Sequence, residues 1–133
     1  MKINGKCHCG NIEYDAEVNP EHVIICHCTD CQNISGAPCR ANVPVLIESF
    51  HMQGSPKLYQ KIADSGNKLA LAFCDNCGSA LYSARIEKPK FYMLRLGAIK
   101  QRAQLPPQRQ GFCSSAMPWV FAINNIPEVS SAT

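Results

Sequence analysis

Apolar and polar residues alternate with a period of two along much of this chain. The clearest run sets Ile12, Tyr14, Ala16 and Val18 against Asn11, Glu13, Asp15 and Glu17. Side chains two apart share one face of a strand, so the run predicts a half-buried strand, which Asn19-Pro20 ends. Val23-Ile24-Ile25 predicts a short apolar strand. Residues 39–52 read as one or two strands broken around Pro44, closed by Gly54-Ser55-Pro56, and Leu58-Tyr59 begins another. Asp64-Ser65-Gly66-Asn67 has the composition of a hairpin turn. Beyond it, Leu69, Leu71 and Phe73 alternate with Lys68, Ala70 and Ala72. Residues 79–86 and 91–96 predict further strands, and 104–110, with Pro106-Pro107, predicts a loop. Phe112-Cys113 and Pro118-Trp119-Val120-Phe121 close the fold. One helix signal interrupts this. Thr29 and Gln32 have capping-box spacing, which puts Cys31 in the first turn of a short helix ending near Ser35-Gly36. Many short strands with turns between them predict an all-β fold. We expect a single domain over residues 1–129 and a loose tail over 130–133.

Composition sharpens the picture only in part. The 133 residues suffice for one hydrophobic core, and 46% hydrophobic with 17% charged residues is globular. No apolar run approaches a membrane span, so no membrane partner is expected. Met1-Lys2-Ile3-Asn4-Gly5-Lys6 lacks an apolar signal core, so the expected location is cytoplasmic. Nine cysteines is far above background. Their number is odd, and seven of them fall into C-x-C and C-x-x-C clusters, which points to metal rather than a disulfide framework. The formal charge of +3 counts thiols as neutral. Seven thiolates on two zinc ions would cancel it.

The densest cluster is Cys26-His27-Cys28-Thr29-Asp30-Cys31, with three thiols in six residues. The predicted helix start would turn its N–H groups towards them. Cys7-x-Cys9 and Cys74-x-x-Cys77 are two further half-sites, each too small to hold zinc alone. Together they make a closed four-cysteine structural site. In a strand, Cys7 and Cys9 would face the same side, with Gly10 permitting the adjoining turn. Cys26, Cys28 and Cys31 then have one position left. Cys39 or Cys113, and more weakly His27 or His8, would close it as a second structural site. Left open, it takes water or a substrate thiolate, the pattern of a working zinc. Cys39 and Cys113 otherwise read as small buried apolar residues. His22 and His51 read as surface or packing residues.

These motifs resemble a known family. Gly5-Lys6-Cys7-His8-Cys9-Gly10, Cys26-His27-Cys28-x-x-Cys31, Ser35-Gly36-Ala37-Pro38, Phe73-Cys74-x-x-Cys77-Gly78-Ser79 and Pro118-Trp119 occur in the order seen in glutathione-dependent formaldehyde-activating enzymes, over about residues 5–123. The resemblance implies a tent-like fold of packed antiparallel sheets. It implies a structural zinc on Cys7, Cys9, Cys74 and Cys77, and a more labile one on Cys26, Cys28 and Cys31. The implied activity joins formaldehyde and glutathione, as a carbon–sulfur lyase acting in reverse. Where family members often carry a His and, later, a basic residue before the tryptophan, this chain has Gln110 and Ala116.

The reaction expected is attack of a zinc-held thiolate on a small aldehyde, so the partners are a small thiol and an aldehyde. Cys26, Cys28 and Cys31 would carry it. Arg40 or Arg109 would pair with a glutathione carboxylate. Asp30 and Arg40 are the candidates for proton donation. A homodimer is allowed for. The competing reading is a non-catalytic zinc-stapled module binding protein or nucleic acid. It rests on residues 87–110, which hold six Lys/Arg (Lys88, Lys90, Arg95, Lys100, Arg102, Arg109) and one acid, Glu87. Those charges are scattered, which argues against nucleic acid. A third reading, thiol redox sensing, needs the central cysteines free of metal.

Overall fold

The computed structural model describes residues 1–131. Two sheets carry the fold. β1 (Lys2–Lys6), β2 (Glu13–Glu17) and β5 (Phe50–Gln53) form an antiparallel three-stranded sheet in the order β1-β2-β5. The remaining strands are β3 (Ile24–Cys26), β4 (Arg40–Leu46), β6 (Lys57–Ile62), β7 (Lys68–Phe73), β8 (Ala80–Arg85), β9 (Phe91–Arg95) and β10 (Arg109–Gly111). They form a seven-stranded sheet in the order β10-β3-β4-β9-β8-β7-β6. The fold is all-β, with one α-helix among the described residues, α1 (Thr29–Ser35), and short 3₁₀ turns. No helix among the described residues is long and apolar enough to cross a membrane. Residues 132 and 133 of the expected tail lie outside the described residues.

The core forms where the two sheets face each other. β2 buries Tyr14 and Ala16, β4 buries Val43 and Val45, and β9 buries Leu94. Val43 and Tyr82 flank Leu94 on the neighbouring strands, and Leu94 is fully buried. Phe50 joins Tyr14, Tyr82 and Tyr92 in an aromatic cluster, with the Tyr82 and Tyr92 rings stacked 4.3 Å apart. Such pairs add about 0.5–1.5 kcal/mol beyond the area they bury.

Several local expectations are corrected. The break in residues 39–52 falls at 47–49, a 3₁₀ turn, and β4 runs straight through Pro44. Within β4, β3 pairs only with Arg40–Asn42, so the missing N–H of Pro44 interrupts no β3–β4 ladder. The 104–110 loop ends in β10, which pairs in parallel with β3, Gly111 beside Cys26. No alternation marked it because it is three residues long. β1 also escaped the sequence reading. Cys7-His8-Cys9 lies in a turn rather than a strand. The Thr29–Gln32 capping box does not form. Cys28 caps α1, its thiol accepting from Cys31 N–H at 3.3 Å. Gln32 instead donates to the carbonyls of His27 and Ser115 at 2.8 and 2.9 Å.

Leu94→Ala should lower unfolding free energy by about 2–5 kcal/mol, the range for deleting a fully enclosed leucine side chain. Urea denaturation should show a lower midpoint at unchanged slope. A loss below about 1 kcal/mol would mean that the sheets do not pack as described.

Candidate metal centres and the cavity beside them

The two half-sites come together at one end of the sheets. Cys7, Cys9, Cys74 and Cys77 bring their Sγ atoms within 4.8 Å of one another. Each pair sits on a knuckle of the same build. Cys7 N–H donates to the Ile12 carbonyl at 3.0 Å, and Cys74 N–H to the Ser79 carbonyl at 3.0 Å. Gly10 N–H then closes on the Cys7 carbonyl at 3.1 Å, and Gly78 N–H on the Cys74 carbonyl at 2.8 Å. Gly10 and Gly78 adopt φ of 83° and 76°, a region that side chains disfavour. The knuckles are tied directly, His8 N–H donating to Ser79 Oγ at 2.9 Å.

The donor set fits zinc. A tetrahedron with Zn–S near 2.3 Å places sulfurs about 3.8 Å apart. Cys7 and Cys9 Sγ are 3.5 Å apart, and Cys9 and Cys74 Sγ 3.7 Å. Hydrogen bonding lowers two of these thiols, whereas at Cys74 the Cys77 backbone bond is outweighed by burial and by the bonds to the Cys77 and Cys9 thiols, leaving it raised to about 11. The Ser79 hydroxyl, then the Ser79 and Cys9 backbone N–H groups, bring Cys77 down to about 5. Asn76, and then the Asn11 backbone, lower Cys9. Cys7 and Cys74 are fully buried, Cys77 half-buried and Cys9 exposed, so one edge of this site belongs to the core.

Cys26, Cys28 and Cys31 form the second group, again with Sγ atoms within 4.8 Å of one another. Cys26 ends β3, Cys28 caps α1 and Cys31 lies in its first turn. Among the described residues, Cys39, Cys113, His8 and His27 are not part of this group. Cys39 is half-buried, and burial followed by the charge of Cys26 raises its thiol; Cys113 is exposed. His27 is buried with Nε2 2.7 Å from Gln110 Oε1, its ring against Phe121. His22 and His51 are exposed. The three thiols differ. Burial raises Cys31 to about 12, helped by its bonds to Cys28 and Cys26. Burial also acts on Cys28, but bonds from Cys31 and Cys26 and the Lys61 charge outweigh it, leaving this thiol lowered.

A cavity of about 350 Å³ lies under α1, its lining including Ile34, Arg40, Tyr59, Leu71, Tyr82 and Arg95. The paired register explains why arginines reach it. Arg40 sits directly opposite Cys26, and Asn42 opposite Arg95. Residues two apart share a face, so Arg40, Asn42 and Cys26 lie on the side of the sheet away from Val43, Val45 and Leu94. Arg95 donates to Asn42 Oδ1 through Nη1. Burial, then the Arg40 charge, lower Arg95 to about 9, still a cation at neutral pH. Lys61 pairs with Asp30, tying α1 to β6. Arg109 is exposed on β10 and does not line the cavity. The sequence reading missed Asn42 and Lys61 altogether, named Tyr59 only at the start of a strand, and counted Arg95 only among the scattered basic residues. None of the three central thiols lines this cavity or a wider groove of about 800 Å³ on the other sheet, but Cys26 stands opposite Arg40, which lines the former.

The thiol contrast is directly measurable. In the metal-free protein at neutral pH, iodoacetamide should modify Cys77 much faster than Cys31, resolved residue by residue by mass spectrometry. The Cys77 rate should hold as pH falls and drop only near 5. The sign for stability follows. The depressed Cys77 favours the fold above the unfolded thiol value of 9.0 and loses that contribution as pH falls through about 5. The raised Cys31 contributes below 9.0 and loses its contribution as pH rises through about 12. Equal alkylation of the two would contradict this arrangement.

Comparison with known proteins agrees with the cysteine pattern. No curated protein matches the chain. A crystal structure of a Rhodobacter sphaeroides protein superposes with a TM-score of 0.63 at 20% identity, covering 83% of this chain and 99% of that one, which shows a shared fold. The sequence profile named GFA, glutathione-dependent formaldehyde-activating enzyme, matches residues 2–115. A match over that much of the chain, carrying both cysteine clusters, makes this protein a member of the glutathione-dependent formaldehyde-activating enzyme family.

Proposed function

We propose that the protein is a zinc-dependent carbon–sulfur lyase-type enzyme acting on the adduct of a small aldehyde such as formaldehyde with glutathione or a similar thiol. The observation that carries this reading is the contrast between the two clusters. One gathers four thiols and is complete for tetrahedral zinc; the other gathers three, none of which lines the cavity, although Cys26 stands opposite Arg40, which does. Family membership supplies the glutathione and formaldehyde context.

Zinc on Cys26, Cys28 and Cys31 would supply a position at which a substrate thiol is held as its thiolate. The chain's own residues do the rest. Cys31 N–H fixes the Cys28 sulfur, and β3 fixes Cys26 opposite Arg40. The guanidinium of Arg40 faces the cavity where a substrate carboxylate would sit. Ile34, Tyr59 and Leu71 line that cavity and would limit water around a substrate held there. In the condensation, the thiolate sulfur bonds to the aldehyde carbon, the carbonyl π pair moves to oxygen, and that oxygen takes a proton. The reverse direction breaks the same bond. No electron leaves or enters. Asp30 is engaged with Lys61 at the rim, in an exposed pair.

The nucleic-acid reading loses part of its basis. Arg95, one of the six cations of residues 87–110, is buried in the cavity rather than displayed on a surface.

Cys28→Ser should reduce the tightly held zinc from two ions to one, and adduct formation should fall to the uncatalysed rate. Elemental analysis and product quantification read these out. If the variant keeps two zinc ions and unchanged thiol binding, the three-thiol site is not the working centre.

A further inference from the structure

Arg40 is a buried cation with unanswered hydrogen-bonding capacity. Its side chain is 7% exposed, and its Nε and Nη2 have no hydrogen-bond partner. Arg95, also 7% exposed, lines the same cavity and spends Nη1 on Asn42. Two guanidiniums brought together in a low-dielectric space repel, and neither is neutralised at protein pH. No Asp or Glu lines the cavity; the opposite charge that reaches the guanidiniums is that of the central thiols, Cys31 for Arg40 and Cys31, Cys26 and Cys28 for Arg95. The remaining wall is apolar and aromatic: Ile34, Tyr59, Leu71, Phe73 and Tyr82. Buried polar atoms are nearly always partnered, and planar forks of this kind match a carboxylate.

We propose that Arg40 and Arg95 form a carboxylate-binding subsite in the cavity under α1, and that the substrate thiol is a mercapto acid with its carboxylate on a short arm. This rests on the proposed thiol site at Cys26, Cys28 and Cys31, and it narrows the substrate class. Cys26 stands opposite Arg40 in the β3–β4 register, so the thiol position and the guanidinium belong to neighbouring positions on one sheet face. A ligand joining them spans a short distance. The walls offer no carboxylate for an ammonium group, which selects against a ligand whose acid group is flanked by one. The glycyl end of glutathione and a simple mercapto acid share the required chemistry.

Cobalt-substituted protein gives the test, because thiol coordination alters sulfur-to-cobalt absorption without any turnover. Affinities are compared for 3-mercaptopropionate against its methyl ester, and for glutathione against its glycyl ethyl ester. Esterification should weaken binding about tenfold or more in at least one pair, the value of a good charge-assisted contact. The pair that responds identifies the source of the carboxylate. In Arg40→Met the acid and ester should bind alike. Arg40→Lys, which keeps the charge without the fork, guards against misfolding and should retain part of the preference, with metal content and circular dichroism unchanged. Propionate, which has no thiol, is added separately and read by thermal shift. If acids and esters perturb the cobalt spectrum equally in the unmodified protein, the subsite is refuted and the thiol site stands. If no thiol perturbs the spectrum but propionate stabilises the protein in an Arg40-dependent way, the thiol site fails and the subsite stands. If neither occurs, both fail.

Discussion

The convergence of Cys7, Cys9, Cys74 and Cys77 is the constraint on which the architecture turns. These residues belong to different sheets. Cys7 and Cys9 follow β1, while Cys74 and Cys77 lie between β7 and β8. Sequence separation of more than sixty residues makes this closure costly for a bare chain. A metal that binds only the folded arrangement would return that cost as folding free energy. The knuckles need little help to be ready for it. Both use the same backbone bonds and the same left-handed glycine, and Ser79 serves both, accepting from His8 N–H and bonding the Cys77 sulfur.

With one end clamped, the two faces of the seven-stranded sheet take on different work. Val43, Val45 and Leu94 meet the three-stranded sheet and exclude water. Arg40, Asn42 and Arg95 occupy the alternate positions and are nearly as buried, yet they carry charge and hydrogen-bonding groups. Burial of this kind opposes stability unless it is answered, by Asn42 for Arg95 and by no protein group for Arg40 Nε and Nη2. The ion pair between Asp30 and Lys61 is too exposed to add more than a small amount, but it fixes where α1 crosses the sheet.

Legibility in the sequence followed from this division. The alternation at 12–18 marked a strand because its apolar face meets the core; at 69–73 it marked one although Ala72 meets the core and Leu71 lines the cavity. The spacing of seven cysteines marked two groups because Cys26, Cys28 and Cys31 are close in sequence, while Cys7-x-Cys9 and Cys74-x-x-Cys77 are each a short half-site that needs the other. What stayed hidden was the meaning of the polar positions. In Arg40-Ala41-Asn42-Val43 the polar residues look solvent-facing, and alternation alone cannot tell water from a cavity roofed by a helix. Pro44 suggested a break because sequence does not show that β3 stops short of it. β10 was invisible because its three residues, Arg109-Gln110-Gly111, gain their strand character entirely from β3. The capping-box spacing misled for a chemical reason. A thiol at Cys28 took the capping place that Thr29 would have filled, leaving Gln32 free to hold His27 and Ser115.

On the proposed function, the same ligand type would serve two purposes through scaffold alone. Four thiols drawn from two distant segments of the chain, two of them sealed in the core, would resist a change in coordination, because moving one would move the sheet it is anchored to. Three thiols drawn from a single strand-to-helix junction are all only half-buried. They can accept a fourth partner without disturbing either sheet, and the cavity with its guanidiniums lies on the face from which that partner would come. The junction stays in place because α1 is fastened at both sides, to β6 through Asp30 and Lys61 and to the 3₁₀ turn at Cys113–Ser115 through Gln32. Reactivity at the centre therefore depends less on the three sulfurs themselves than on how firmly this one short helix is held over the sheet.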